Sequence, residues 1–170
     1  MKQILSVLVE NKAGVLSRIS GLFARRGFNI DSLTVGTTED ATISRMTIVV
    51  DGDARTVEQV EKQLNKMVDV LKVKRLPTAG STRRELCLIK VQATAERRGE
   101  IVDVAKILSA KIVDISHTTL TVELCDKPEK VELLIELLSP YQIQELARTG
   151  VAALQKGSSA IAYQDKAQTL

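Results

Sequence analysis

Aromatic residues are almost missing from this chain. Only 2% of its 170 residues are aromatic, and tryptophan is absent. The few present are Phe23, Phe28, Tyr141 and Tyr163. Readers of RNA and of single strands stack bases on aromatic rings, so this scarcity argues against nucleic acid as a partner. Charge of one sign is lacking too. Lys and Arg number 24 against 21 Asp and Glu, spread along the chain for a net charge of +3. That balance lacks the concentrated basic patch of a nucleic-acid surface. Cysteine is limited to Cys87 and Cys125. They lie far apart and outside any C-x-x-C, which gives neither a zinc site nor a disulfide framework. The single histidine, His117, has Asp114 and Ser116 nearby but no triad spacing, so a structural role is expected. P-loop, G-x-G-x-x-G, H-E-x-x-H and G-x-S-x-G patterns are all absent. No apolar run approaches the ~20 residues of a membrane span. The apolar run opening the chain, Ile4 to Val9, is too short for a signal peptide. A cytoplasmic protein without membrane or nucleic-acid partners is expected.

What is present is aliphatic. Hydrophobic residues make up 44% of the chain, mostly Val, Ile and Leu, an ordinary share for a globular chain, and 170 residues suffice for one domain or two small ones. The most informative stretch is Val9 to Gly36. A strand-like run, Ile4 to Val9, enters a polar loop ending in Gly14. Val15, Leu16, Ile19, Leu22 and Phe23 then fall on one face of a helix. A strand–loop–helix turn aims unpaired amides and a positive dipole end at the space beside the loop, a seat for a small carboxylate or phosphate. On this basis the amides of Gly14, Val15 and Leu16 hold a carboxylate, and the Asn11 amide oxygen accepts from an ammonium. The competing possibility is that Asn11 and Gly14 only shape the turn. Asn29 and Asp31 suit either the same cavity or a partly exposed strand face. Arg45 suits either an anion contact or an ordinary exposed strand position.

The rest of the pattern repeats. The first half reads strand, helix, strand, strand, helix, strand: Ile4 to Val9, Val15 to Arg25, Phe28 to Val35, Ile43 to Val50, a helix with Val57, Val60, Leu64 and Met67 on one stripe, and Val68 to Val73. Asp53 is placed to cap the second helix. Pro77 to Glu85 is rich in small and turn-forming residues and is expected to be a linker. The second half reads Leu86 to Ala93, a helix through Ile101 to Leu108, Lys111 to Ser116, Thr118 to Leu124, a helix through Val131 to Leu138 with Pro128 near its first turn, and Ile143 to Ala147. The expected fold is α+β: two ferredoxin-like β-α-β-β-α-β domains in tandem. The expected boundaries are 1–76, a linker at 77–85, a second domain at 86–156 and a fraying tail at 157–170. One face of each sheet lacks a helical cover, which favours oligomerisation.

The segments ILSVLVENKAGVLSRISGLFARRGFNIDSLTVG, SRMTIVV and EKQLNKMVDVLKV closely resemble the small regulatory subunit of bacterial acetolactate synthase (acetohydroxyacid synthase). The first half is similar to its amino-acid-sensing ACT domain. RRELCLIKV and ELARTGVAAL resemble the family's C-terminal domain more loosely. The resemblance implies a non-catalytic subunit that activates a separate large catalytic subunit and confers feedback inhibition by valine or a related branched-chain amino acid. Thiamine diphosphate, a divalent metal and FAD would sit on that large subunit, with no cofactor in this chain. The family's effector site maps onto Asn11, Gly14, Val15 and Leu16 of one protomer and Asn29 and Ile30 of its partner across an ACT homodimer. An ACT-type sensor for another partner, such as a transcription regulator, stands as the alternative.

Overall fold

The structure, a computed structural model, describes residues 1–161. The apolar run near the start becomes a central strand, β1 (Lys2–Glu10). It pairs antiparallel with β3 (Ile43–Asp51) on one side and β4 (Val70–Leu76) on the other. β2 (Ile30–Thr37) forms the outer edge beside β3, giving the order β2-β3-β1-β4. Strand side chains alternate between faces. Leu5, Val7 and Val9 of β1 and Met46, Ile48 and Val50 of β3 therefore share one face. They form one core with Val15, Ile19, Leu22 and Phe23 of α1 (Val15–Arg26) and Val57, Val60 and Leu64 of α2 (Ala54–Asn65).

The helix ends follow from local chemistry. Gly27 adopts φ 67, a left-handed conformation that suits glycine. Phe28 N–H then reaches back to Phe23 O at 3.0 Å, closing the C-terminus of α1. The Asp53 carboxylate accepts from Thr56 N–H at 2.7 Å, the expected cap of α2. That bond also holds Asp53 below the usual carboxylate range. α2 stops at Asn65, so Met67 sits in the following turn rather than on the helix, yet it still packs against the core.

The opposite face of this sheet is covered in an unexpected way. Ile4, Val49 and Leu76 form a second, small core with Val151 and Ala153. The chain returns here: Val151 N–H donates to Ser32 Oγ at 3.2 Å, and Lys156 N–H to Gly80 O at 2.8 Å. Among the described residues the first compact unit is thus Met1–Thr82 together with 151–161; the second is Arg83–Gly150. This departs from the sequence-based boundaries. Ser81–Gln92 is one strand, β5, so extended structure begins inside the stretch read as a linker. The strand β9 (Ala152–Gln155), which falls inside the second domain expected from the sequence, lies in the first unit. Val151 is 6% exposed, and Val151→Ala deletes two buried methyl-sized groups. It should cost the first unit about 1.6 kcal/mol at ~0.8 kcal/mol per group. Urea unfolding of the full chain checks this; an unchanged midpoint would mean the return segment adds nothing.

The second unit repeats the first with β5, α3 (Arg98–Ile107), β6 (Lys111–Ile115), β7 (Thr119–Asp126), α4 (Pro128–Leu138) and β8 (Ile143–Arg148). Its strand order is β6-β7-β5-β8. Cys87, Ile89 and Val91 of β5 and Leu120, Val122 and Leu124 of β7 pack on Ile101 and Ala105 of α3 and Val131, Leu134 and Leu138 of α4. The α+β class with two β-α-β-β-α-β units is as the sequence predicts. His117 lies exposed in the β6–β7 turn, whose carbonyls at Ser116 and His117 accept from Arg98 Nη2 at 2.7 and 2.9 Å. His117 takes part in these bonds through its backbone carbonyl alone. Cys87 is buried, Cys125 is exposed, and both are free. Among the described residues no helix is long and apolar enough to cross a membrane. Most of the segment expected to fray, 162–170, lies outside the described residues.

Candidate functional site

The β1–α1 loop owes its shape to Gly14. This residue adopts φ 84 and ψ −8 at the N-cap of α1, with no side chain capping the helix. The left-handed conformation penalises a Cβ, so glycine is favoured sterically. Helical pairing begins with Arg18 N–H donating to Gly14 O at 2.9 Å. Among the described residues, no hydrogen bond engages the amides of Gly14, Leu16 and Ser17. These are the orphan donors of a helix start, at the positive end of the helix dipole. Val15 differs from the sequence-based expectation. Its N–H turns back to Lys12 O at 3.4 Å, and its side chain, 2% exposed, belongs to the core. The aliphatic surface at this end comes instead from Leu16, which is 46% exposed.

Asn11 is positioned from both sides. Its backbone N–H donates to Thr42 O at 2.7 Å, and its side-chain Nδ2 donates to Ala41 O at 2.9 Å. The second bond assigns the amide orientation and leaves Oδ1 as an acceptor. The residues flanking the loop carry paired charges. Lys12 Nζ meets Glu10 at 2.7 Å, and that hydrogen bond raises the lysine above its usual range.

Arg18 also belongs to this end of the helix, although no motif marks it. Its Nε is anchored to Asp69 at 2.7 Å, and its Nη1 stands 2.9 Å from where a Cβ on Gly14 would be. A guanidinium thus overlooks the glycine from one helical turn away. The i, i+4 spacing from Gly14 was the only sequence signal for it.

Asn29 and Ile30 lie at the other end of α1. Asn29 is exposed, and Ile30 opens β2 while packing partly on the core. α1 has twelve residues, about 18 Å at 1.5 Å per residue. Within one chain, therefore, Asn11, Gly14 and Leu16 cluster together, and Asn29 and Ile30 cluster apart from them. Asp31 is tied to Lys2 at 2.9 Å. Arg45 is half-buried on the sheet face away from the helices, its Nη1 on Ser6 Oγ at 2.7 Å, and it does not join the loop.

A β-α-β-β-α-β unit whose strand-to-helix loop is opened by glycine is the architecture of an ACT domain, a fold that also carries other functions. The comparisons with known proteins are specific about which one. Residues 5–72 match the family described as the AHAS small subunit-like ACT domain, and residues 84–157 the family described as small subunit of acetolactate synthase. The chain belongs to the acetolactate synthase small-subunit family. It is 54% identical over 158 residues to a probable acetolactate synthase small subunit of Archaeoglobus fulgidus, covering 93% of this chain and 99% of that one. It is 50% identical over 157 residues to the acetolactate synthase small subunit of Mycolicibacterium smegmatis, covering 92% of each. The crystal structure of the acetolactate synthase small subunit from Thermotoga maritima superposes with a TM-score of 0.86 at 41% identity, over 94% of this chain and 99% of that one.

Proposed function

We propose that this chain is the regulatory subunit of an acetolactate synthase. It binds the catalytic large subunit, raises its activity, and makes it sensitive to valine or a related branched-chain amino acid. The chemistry, with thiamine diphosphate, a divalent metal and FAD, resides on the large subunit. The observation that carries the effector role is the β1–α1 loop, which holds both open amides of the first helical turn and an Asn11 side chain whose Oδ1 is left as an acceptor. The ligand's carboxylate would take the amides of Gly14, Leu16 and Ser17, with Arg18 overlooking them. Its ammonium would donate to Asn11 Oδ1, and its aliphatic side chain would lie on Leu16.

The separation of the two residue clusters by the length of α1 supports a homodimer. Antiparallel docking of two α1 helices, with β2 edges side by side, would bring Asn29 and Ile30 of one protomer to the Gly14 loop of the other. Each ligand would then bridge two chains.

Mixing the chain with its purified catalytic subunit tests the function. The rate of acetolactate formation should rise, and valine should then lower it. A rate unchanged on mixing would sink the regulatory reading. Asn11→Ala should weaken valine binding by roughly 1–3 kcal/mol, the loss of one hydrogen bond to a charged group. Calorimetric titration of the full chain measures it; unchanged affinity would remove Asn11 from the site.

A further inference from the structure

We propose that the sheet face of the first unit that carries Arg45, Lys72 and Lys74 docks an acidic surface of the catalytic subunit. This rests on the proposed role as a regulatory subunit and adds where the contact is made.

The register sets the geometry. Leu8 on β1 is opposite Arg45 on β3 and opposite Lys72 on β4. Ser6, the next residue on this face of β1, is opposite Thr47 and Lys74. Adjacent strands lie about 4.8 Å apart, so Arg45 and Lys72 flank Leu8 within about 10 Å, with Lys74 one row away. None of these three cations meets a carboxylate among the described residues. Arg45 Nη1 rests on the Ser6 hydroxyl at 2.7 Å and Lys74 Nζ on the Ser159 hydroxyl at 3.0 Å. Lys72 is exposed.

The contrast along β4 is informative. Arg75, on the opposite face of the same strand, pairs with Glu61 of α2 at 2.9 Å. Arg18, Lys12 and Lys62 likewise each meet a carboxylate. Arg45, Lys72 and Lys74 are thus a same-sign cluster that the register gathers on one face, over a floor of Leu8, Ser6 and Thr47 that is itself buried.

The character of the face selects the occupant. A small phosphate site draws on converging backbone amides. Here β1 is a central strand whose amides are committed to ladders on both sides. Long, separated cations over an apolar and hydroxyl floor suit carboxylates spaced on a protein surface. Complementary charge of this kind sets association rate, partner choice and salt dependence.

The test uses the full chain and its catalytic subunit. Association is measured by interferometry from about 50 to about 400 mM KCl, with the wild type, Lys72→Glu, Lys72→Met and Lys74→Met. Wild-type association should weaken as salt rises. Lys72→Glu should weaken it at least tenfold at low salt, and the Met variants several-fold, all with a flatter salt dependence. Circular dichroism and the valine-induced thermal shift should match the wild type. Wild-type association with unchanged affinity and salt slope in every variant would overturn the docking face alone. No association of the wild type at any salt would overturn the regulatory reading along with it. Saturable binding of tripolyphosphate to the wild type, lost in Lys72→Met, with subunit association untouched in every variant, would make the cluster a small-anion site instead.

Discussion

Gly14→Asp should abolish valine inhibition while leaving activation of the catalytic subunit in place. Gly14 holds φ 84, and a Cβ there would come 2.9 Å from Arg18 Nη1. That neighbour is the far end of a flexible side chain and can move. The left-handed conformation itself costs a non-glycine residue roughly 1–2 kcal/mol, least for Asp and Asn. The unit should therefore fold. The new carboxylate would occupy the space proposed for the ligand's carboxylate and compete for the same amides and for Arg18. Like charges at that range cost several kcal/mol, about two orders of magnitude or more in affinity. Activity titrations with the catalytic subunit, with and without valine, check it. Full inhibition by valine in Gly14→Asp would place the effector elsewhere. Loss of inhibition and activation together, with a lowered Tm, would point to a folding defect, and Gly14→Ala then separates the two causes.

Valine should also clamp a dimer. If each ligand bridges two chains, free valine at a hundred times its Kd stabilises the bound state by about 2.7 kcal/mol per site. For a unit of this size that corresponds to a rise in Tm upward of ~10 °C. The chain should sediment as a dimer at micromolar concentration, and valine should slow subunit exchange. Were saturating valine to inhibit the complex without moving Tm or exchange, the clamp would be wrong. A monomer at micromolar concentration would refute it as well.

Much of the fold was legible because it is written in local periodicity. The alternation of Leu120, Val122 and Leu124 and the stripe of Ile19, Leu22 and Phe23 each point one face at one core, and the structure agrees. Asp53 as a cap was readable because a side chain bonding three residues ahead is a local event. The return of Val151 and Ala153 to Ile4 and Leu76 was not. Its contacts join residues at opposite ends of the sequence, and VAAL is too short to carry a period. The same holds for the site. Asn11 and Gly14 were marked by residue type at a strand–helix turn. The exclusion of the Val15 side chain was not visible, because Val15 and Leu16 both fit the helical stripe and only packing decides which turns inward. Arg18 was hidden because its anchor, Asp69, lies on a distant segment.

The return of the chain after the second unit has a consequence for biosynthesis. The first unit is discontinuous: its last buried residues, Val151 and Ala153, are translated only after the whole of Arg83–Gly150. At roughly 5–20 residues per second, a nascent first unit waits for seconds with Ile4, Val49 and Leu76 uncovered. During that interval it presents an apolar patch on a sheet face, a surface that chaperones bind and aggregation exploits. Closing it afterwards requires ordering the intervening chain, and that entropy grows only slowly with loop length. A second unit that has already folded removes most of it. Ribosome-bound chains stalled before Val151 should therefore be more sensitive to protease than chains stalled beyond Gln155 with the return segment clear of the exit tunnel, because release of that segment completes the first unit.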